Sequence, residues 1–154
     1  MDDGGGKNET STAFVYKIIP ASSFLGVPIS PSFLLPASSL DQQSGFIHLS
    51  TAAQIPGTLQ RFFASPATSK HVVYLLRVSY EPLEQKDIVK WESPDAQTRG
   101  ARGDEGMFPH VYKKGGDLTI SGSEVESVEE VESMEGIDGW EDALEVLKDE
   151  QWLR

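Results

Sequence analysis

The sequence predicts an α+β fold, and two observations predict it. Short runs rich in β-branched and aromatic residues recur along most of the chain, while only two stretches carry helical apolar spacing. Connections rich in proline, serine or glycine separate them. At 154 residues, the chain suits a single domain with a substantial core.

Residues 1–13 open with the Gly-rich, polar MDDGGGKNETST and are expected to be disordered. The single domain is expected to span residues 14–131, and FVYKII (Phe14 to Ile19) reads as its first strand. Residues 20–44 are too broken by proline for one long helix and read as a long connection that has room for a helical turn. GFIHLS is the second strand. In TAAQIPGTLQRFF, Thr51 and Gln54 have capping-box spacing, and Pro56 fits the start of a helix after a short turn. Ile55, Leu59, Phe62 and Phe63 then share its core face.

VVYLLRVSY (Val72 to Tyr80) is apolar on both faces, which predicts a central strand. DIVKWE, MFPHVYK and LTIS follow as further strands, with residues 93–106 as a mobile loop rich in glycine and charge. EVESVEEV, with valines at every third position, fits neither template. The end, DGWEDALEVLKDEQWLR, is an amphipathic helix capped by Asp138 and Glu141, whose stripe of Trp140, Ala143, Leu144 and Leu147 is expected to pack on the domain.

Charge separates the last quarter from the rest. Residues 117–154 hold 13 acidic and 2 basic side chains, so the whole net charge of −11 lies there and the body is neutral. Residues 132–154 therefore read as an acidic extension, solvated and repelled by nucleic acid and by anionic membranes. No apolar run is long enough to cross a bilayer, the start lacks signal-peptide character, and there is no cysteine. A cytoplasmic monomer with neither DNA nor membrane partners is the expectation.

The chemistry concentrates in two segments that repeat one pattern, Phe-x-His-x-hydroxyl. Strand alternation puts Phe46, His48 and Ser50 on one face and Ile47 and Leu49 on the core side. It does the same for Phe108, His110 and Tyr112 against Pro109 and Val111. Two of the three histidines thus sit in matching settings, whereas His71 reads as surface. A buried imidazole needs hydrogen bonds or a wet cleft, so each histidine alone suits a structural role, and the pair together suits a shared site. Lys90 and Glu92 share a face, as a phosphate holder and a general base, or as a solvated strand-edge pair. Tyr16 and Lys17 are further candidates. GxGxxG, Walker A, GxSxG and HExxH patterns are absent, no metal is expected, and the Arg-Gly-Asp triplet in RGARGDEG reads as chance.

FVYKII, GFIHLSTAAQIPGTLQRFF, KWE and FPHVY, in this order, resemble an uncharacterised family, domain-of-unknown-function family 952, over about residues 14–131. The resemblance implies a small fold similar to the ADP-ribosyltransferase superfamily, with two short, mainly antiparallel sheets flanking a cleft, one or two helices, and here an added C-terminal helix. It implies NAD as a substrate or a related nucleotide as ligand. His48 and Ser50 in HLS would meet a ribose, and Gly45, Phe46 and Thr51 belong to the same motif. The superfamily also uses a tyrosine to stack on nicotinamide and a glutamate to polarise a ribose, and Tyr112 and Glu92 are the candidates for these roles. FPHVY centres on His110 without a glutamate, which favours a histidine-based variant, or binding without transfer. Three functions therefore compete. One is a transferase using His48, His110 and Glu92 as catalytic residues with Lys90 on the charge. The second is a binding module that keeps the cleft. The third is an interaction protein acting through its acidic tail.

Overall fold

A computed structural model of the chain describes residues 13–20, 29–35, 37–62, 72–114, 117–133 and 140–154. It is a mixed fold of four α-helices and three antiparallel sheets among the described residues. Expectations for residues 1–12, for most of the 20–44 connection before residue 29, for the side chains of Phe62 and Phe63, for His71 and for Asp138 lie outside them.

The first sheet has the order β1–β4–β9, with β1 at Phe14–Pro20, β4 at Val72–Ser79 and β9 at Val125–Glu132. The doubly apolar β4 is central, as its sequence requires. β9 resolves the valine triplet repeat. Its pairing with β4 slips by one residue, from Ser127 opposite Arg77 to Val125 opposite Val78, so Glu126 is an extra residue. That bulge inverts the alternation beyond it, so Val125 and Val131, which an unbroken strand would put on one face, diverge. Val125 packs in one core cluster and Val131 in the other, on opposite faces of the sheet.

The second sheet pairs β2 (Leu34–Leu35) with β8 (Ile120–Ser121). The third has the order β3–β7–β5–β6, with β3 at Ile47–His48, β7 at Phe108–Tyr112, β5 at Ile88–Glu92 and β6 at Arg99–Gly100. Three sheets thus stand where two were expected. β6 arises inside the 93–106 segment that read as an unstructured loop. Ser93, Asp95 and Asp104 hold its turns through side-chain hydrogen bonds to the backbone, a local chemistry that hydropathy periodicity does not register.

Helix α1 (Ser39–Ser44) lies in the proline-rich connection. A 3₁₀ turn at Ala52–Gln54, with the Thr51–Gln54 capping box formed, leads into α2 (Ile55–Phe62), where Pro56 occupies the first turn. α3 (Tyr80–Lys86) was not anticipated, because Tyr80 reads as the last residue of a strand. Pro82 fits because it lies in the first turn, where backbone N–H groups have no helical partner.

α4 (Glu141–Asp149) completes the fold. With α2 it covers one face of the first sheet. Trp140, Leu144, Leu147, Trp152 and Leu153 join Tyr16, Ile55, Leu59, Val73 and Leu75 in one buried cluster. The Tyr16 hydroxyl donates to Trp152 O at 3.0 Å and accepts from the Arg154 N–H at 3.1 Å. The acidic segment is therefore part of the core, and its charged side chains lie on the outer face of a helix the domain needs. The opposite face of the sheet meets the third sheet through Val15, Val78, Ile47, Leu49, Trp91 and Val111.

Candidate functional site

Helix α1 ends in a left-handed residue, Gly45 at φ +83°, whose N–H caps Asp41 O at 2.8 Å. A side chain there would be strained, so glycine fixes the turn that returns the chain into β3. That turn brings Asp41 beside His48. Asp41 Oδ1 takes the His48 backbone N–H at 3.0 Å and lies 2.8 Å from His48 Nδ1, while Oδ2 takes Lys17 Nζ at 2.7 Å. Lys17 Nζ also reaches His48 O at 3.3 Å. Burial opposes ionisation of Asp41, but the His48 hydrogen bonds and the Lys17 charge outweigh it and hold the carboxyl at about 2. Asp41 is thus an acceptor, and His48 Nδ1 carries the proton that joins them.

A second pair mirrors the first. β3 and β7 set His48 directly opposite His110, and β7 and β5 set His110 opposite Lys90. Glu92 Oε1 lies 2.9 Å from His110 Nδ1 and accepts the Tyr112 O–H at 2.7 Å. Burial, with the positive potential of His48, pushes His110 below its ordinary value against the opposing pull of Glu92. Burial and the Glu92 charge push the Tyr112 hydroxyl up to about 12, so it stays protonated and donates. The two imidazole centroids are 5.2 Å apart, edge to face, and Phe46 stacks on His110 at 4.2 Å and leans on His48 at 4.5 Å. Neither Nε2 has a hydrogen-bond partner among the described residues.

Both rings border a cavity of about 460 Å³, within the size range of small-molecule sites. β1, α1, α2, the turn at Pro94 and Asp95, and Phe108 form the other walls. Its cations are Lys17, which is spent on Asp41, and Arg61; its apolar residues include Ile18, Pro20 and Leu40.

The structure brings His48, His110, Glu92, Phe46 and Tyr112 into one cluster and lines the cavity with His48, Ser50 and His110. Glu92 and Tyr112 stand behind His110, outside the cavity lining. Lys90 sits with Nζ 4.5 Å above the Tyr112 ring, likewise outside it. Gly45 caps α1, and Thr51 is held in its capping box. Lys17 serves Asp41, and Tyr16 lies in the core. Among the described residues, no three His, Cys, Asp or Glu side chains group as a metal site. Sequence reasoning missed Asp41. Its signal was present: Ser38 and Asp41 have cap spacing, and Gly45 follows as a stop.

The crystal structure of protein CC0527 from Caulobacter crescentus is similar, with a TM-score of 0.57 at 27% identity over 86% of this chain and 98% of that one. A crystal structure of a double mutant of CC0527 gives 0.56 at 26% identity with the same coverage. No curated protein matches. Residues 31–128 match the family described as protein of unknown function (DUF952), and the chain belongs to that family.

Proposed function

We propose that the cleft binds a phosphorylated, nucleotide-like small molecule, and that His48 and His110 act as paired acid and base in transferring its phosphoryl or ADP-ribosyl group. One observation carries this reading: two imidazoles, each with Nδ1 fixed by a carboxylate, meet 5.2 Å apart at one cavity with both Nε2 atoms unclaimed among the described residues. A fixed Nδ1 proton leaves Nε2 as the lone-pair nitrogen, the arrangement that makes a histidine a base. In phosphoryl transfer, the neutral Nε2 of one ring takes the proton of the incoming hydroxyl while the other ring, entering as an imidazolium, gives its Nε2 proton to the leaving oxygen. In ADP-ribosyl transfer from NAD, nicotinamide leaves as a neutral base and only the ring that takes the acceptor's proton is needed. Glu92 is committed to His110 and Tyr112, so the chemistry runs through histidine, with Glu92 as an orienting group. The likeness of HLS to the ribose-contacting motif of ADP-ribosyltransferases supports a nucleotide as ligand.

The test is to titrate NAD, ADP-ribose and a 2′-phosphorylated nucleotide while following the imidazole resonances, then to assay each for turnover. Shifts at both histidines, with turnover abolished by His48→Ala, are expected. No shift at millimolar ligand sinks the proposal. The buried position of His110, 1% exposed, favours one alternative, a cleft that holds the same ligand without chemistry. Shifts without turnover of any of the three would select it.

A further inference from the structure

The cleft opens where a strand pairing stops. Tyr16 and Ser50 exchange both backbone hydrogen bonds, at 2.8 and 2.9 Å. Continued in antiparallel register, that pairing would set Ile18 opposite His48. Instead the His48 N–H goes to Asp41 and its carbonyl accepts from Lys17, so the acid and the lysine wedge the two strands apart. Tyr16 directs its backbone groups away from β4, and alternation along the strand directs those of Ile18 the same way. Ile18 thus presents one N–H and one C=O side by side on the free edge of β1, with no partner among the described residues. Ile18 also lines the cavity into which the histidines look.

The occupant of this edge is bounded on both sides. The Tyr16–Ser50 bridge closes one end, and Pro20, which lacks an N–H, ends the other. A single donor–acceptor pair remains, too little for an added peptide strand but sufficient for one planar group. Leu40, 45% exposed on α1, and the rings of Pro20 and Pro94 supply apolar surface around the same cavity.

We propose that the Ile18 edge binds the flat heterocycle of the ligand: its N–H donates to a ring or carbonyl acceptor, its C=O accepts from the neighbouring N–H, and Leu40 covers the ring. This rests on the nucleotide-like reading above. Adenine and a nicotinamide carboxamide both present such an edge, and they serve as separate probes.

The experiment follows the Ile18 amide in the ¹⁵N-labelled full chain during titration with adenosine, nicotinamide and NAD. N6,N6-dimethyladenosine and N,N-dimethylnicotinamide serve as blocked controls. The expected result is a downfield shift and slowed solvent exchange at Ile18 with one unblocked probe and not with its dimethyl partner. Ile18→Pro, placed on an edge that tolerates proline, should weaken that probe about tenfold, the scale of one hydrogen bond, while Ile18→Val should not. If Ile18→Pro does not fold, the blocked and unblocked probes decide on the unmodified chain. NAD moving the His48 and His110 signals but not Ile18 overturns this assignment alone. Ring probes moving Ile18 while no phosphorylated nucleotide moves the histidines keep it and overturn the acid–base reading. No binding by any probe overturns both.

Discussion

The two carboxylate–histidine pairs look alike and are built in opposite ways. Asp41–His48 is assembled across a helix, a turn and two strands, with His48 22% exposed and the Lys17 ammonium paired with the acid. Glu92–His110 lies within one sheet, with both partners on neighbouring strands, His110 1% exposed, and the neutral Tyr112 hydroxyl as the third member. The first pair therefore depends on a charge balance and a special backbone turn. The second depends on ladder register, which the surrounding sheet enforces.

The largest break in this comparison is Asp41→Asn. It keeps the shape but removes the charge opposite Lys17, whose side chain is 13% exposed. An uncompensated buried ammonium costs about 3 kcal/mol. Glu92→Gln leaves an acceptor for Tyr112 and strands no paired lysine, so the loss there is about 1 kcal/mol. Urea unfolding of the two variants measures both. Equal losses would mean that Lys17 contributes nothing.

Acid separates the pairs by pH. Folding lowers the Asp41 carboxyl from 3.8 to about 2, so its contribution is present above pH 4 and disappears as pH falls through about 2. The size is about 2 kcal/mol. Burial also lowers His110 from 6.5, so the unfolded chain takes up this proton first. Stability then declines as pH drops below about 6.5 and levels off once the native histidine is also protonated. The stability–pH curve should show two acid limbs, with His110→Gln removing the upper and Asp41→Asn the lower.

These differences explain what could be read from the sequence. Alternation within one strand is visible, so the shared face of Phe46 and His48, and that of His110 and Tyr112, follow from spacing. The meeting of β3 and β7 was inferred only from their repeated pattern, and the register sets His48 against His110. Asp41 was invisible to the same logic, because its role depends on a helix of six residues that has little periodicity to read. The bulge at Glu126 and strand β6 hid for a related reason, since local turn and ladder geometry leave no hydrophobic repeat.

Gly45→Ala tests the turn alone. A Cβ there meets nothing within 4 Å, so the penalty is purely that of a non-glycine residue at φ +83°. That is about 1 kcal/mol. Its local effect should fall on the first pair. The His48 backbone amide should exchange faster with solvent as its bond to Asp41 loosens, while the amides of β7 keep their protection. Equal loosening of both regions would mean that the turn stiffens the whole sheet and not one pair.

Tyr112→Phe, with an effect no larger than that of Gly45→Ala, tests the second pair without touching its charge. The phenol hydroxyl, pushed up to about 12, donates to the same Glu92 oxygen that meets His110 Nδ1. Its removal costs roughly one hydrogen bond, about 1 kcal/mol, and keeps the ring against Phe46 and beneath Lys90. Glu92 then has no competing donor at Oε1, so it favours the imidazolium form of His110 more strongly. The His110 titration midpoint should rise in NMR, while the His48 resonances hold their positions. A midpoint that stays fixed would mean the hydroxyl and the imidazole do not compete, and that burial alone governs the buried histidine.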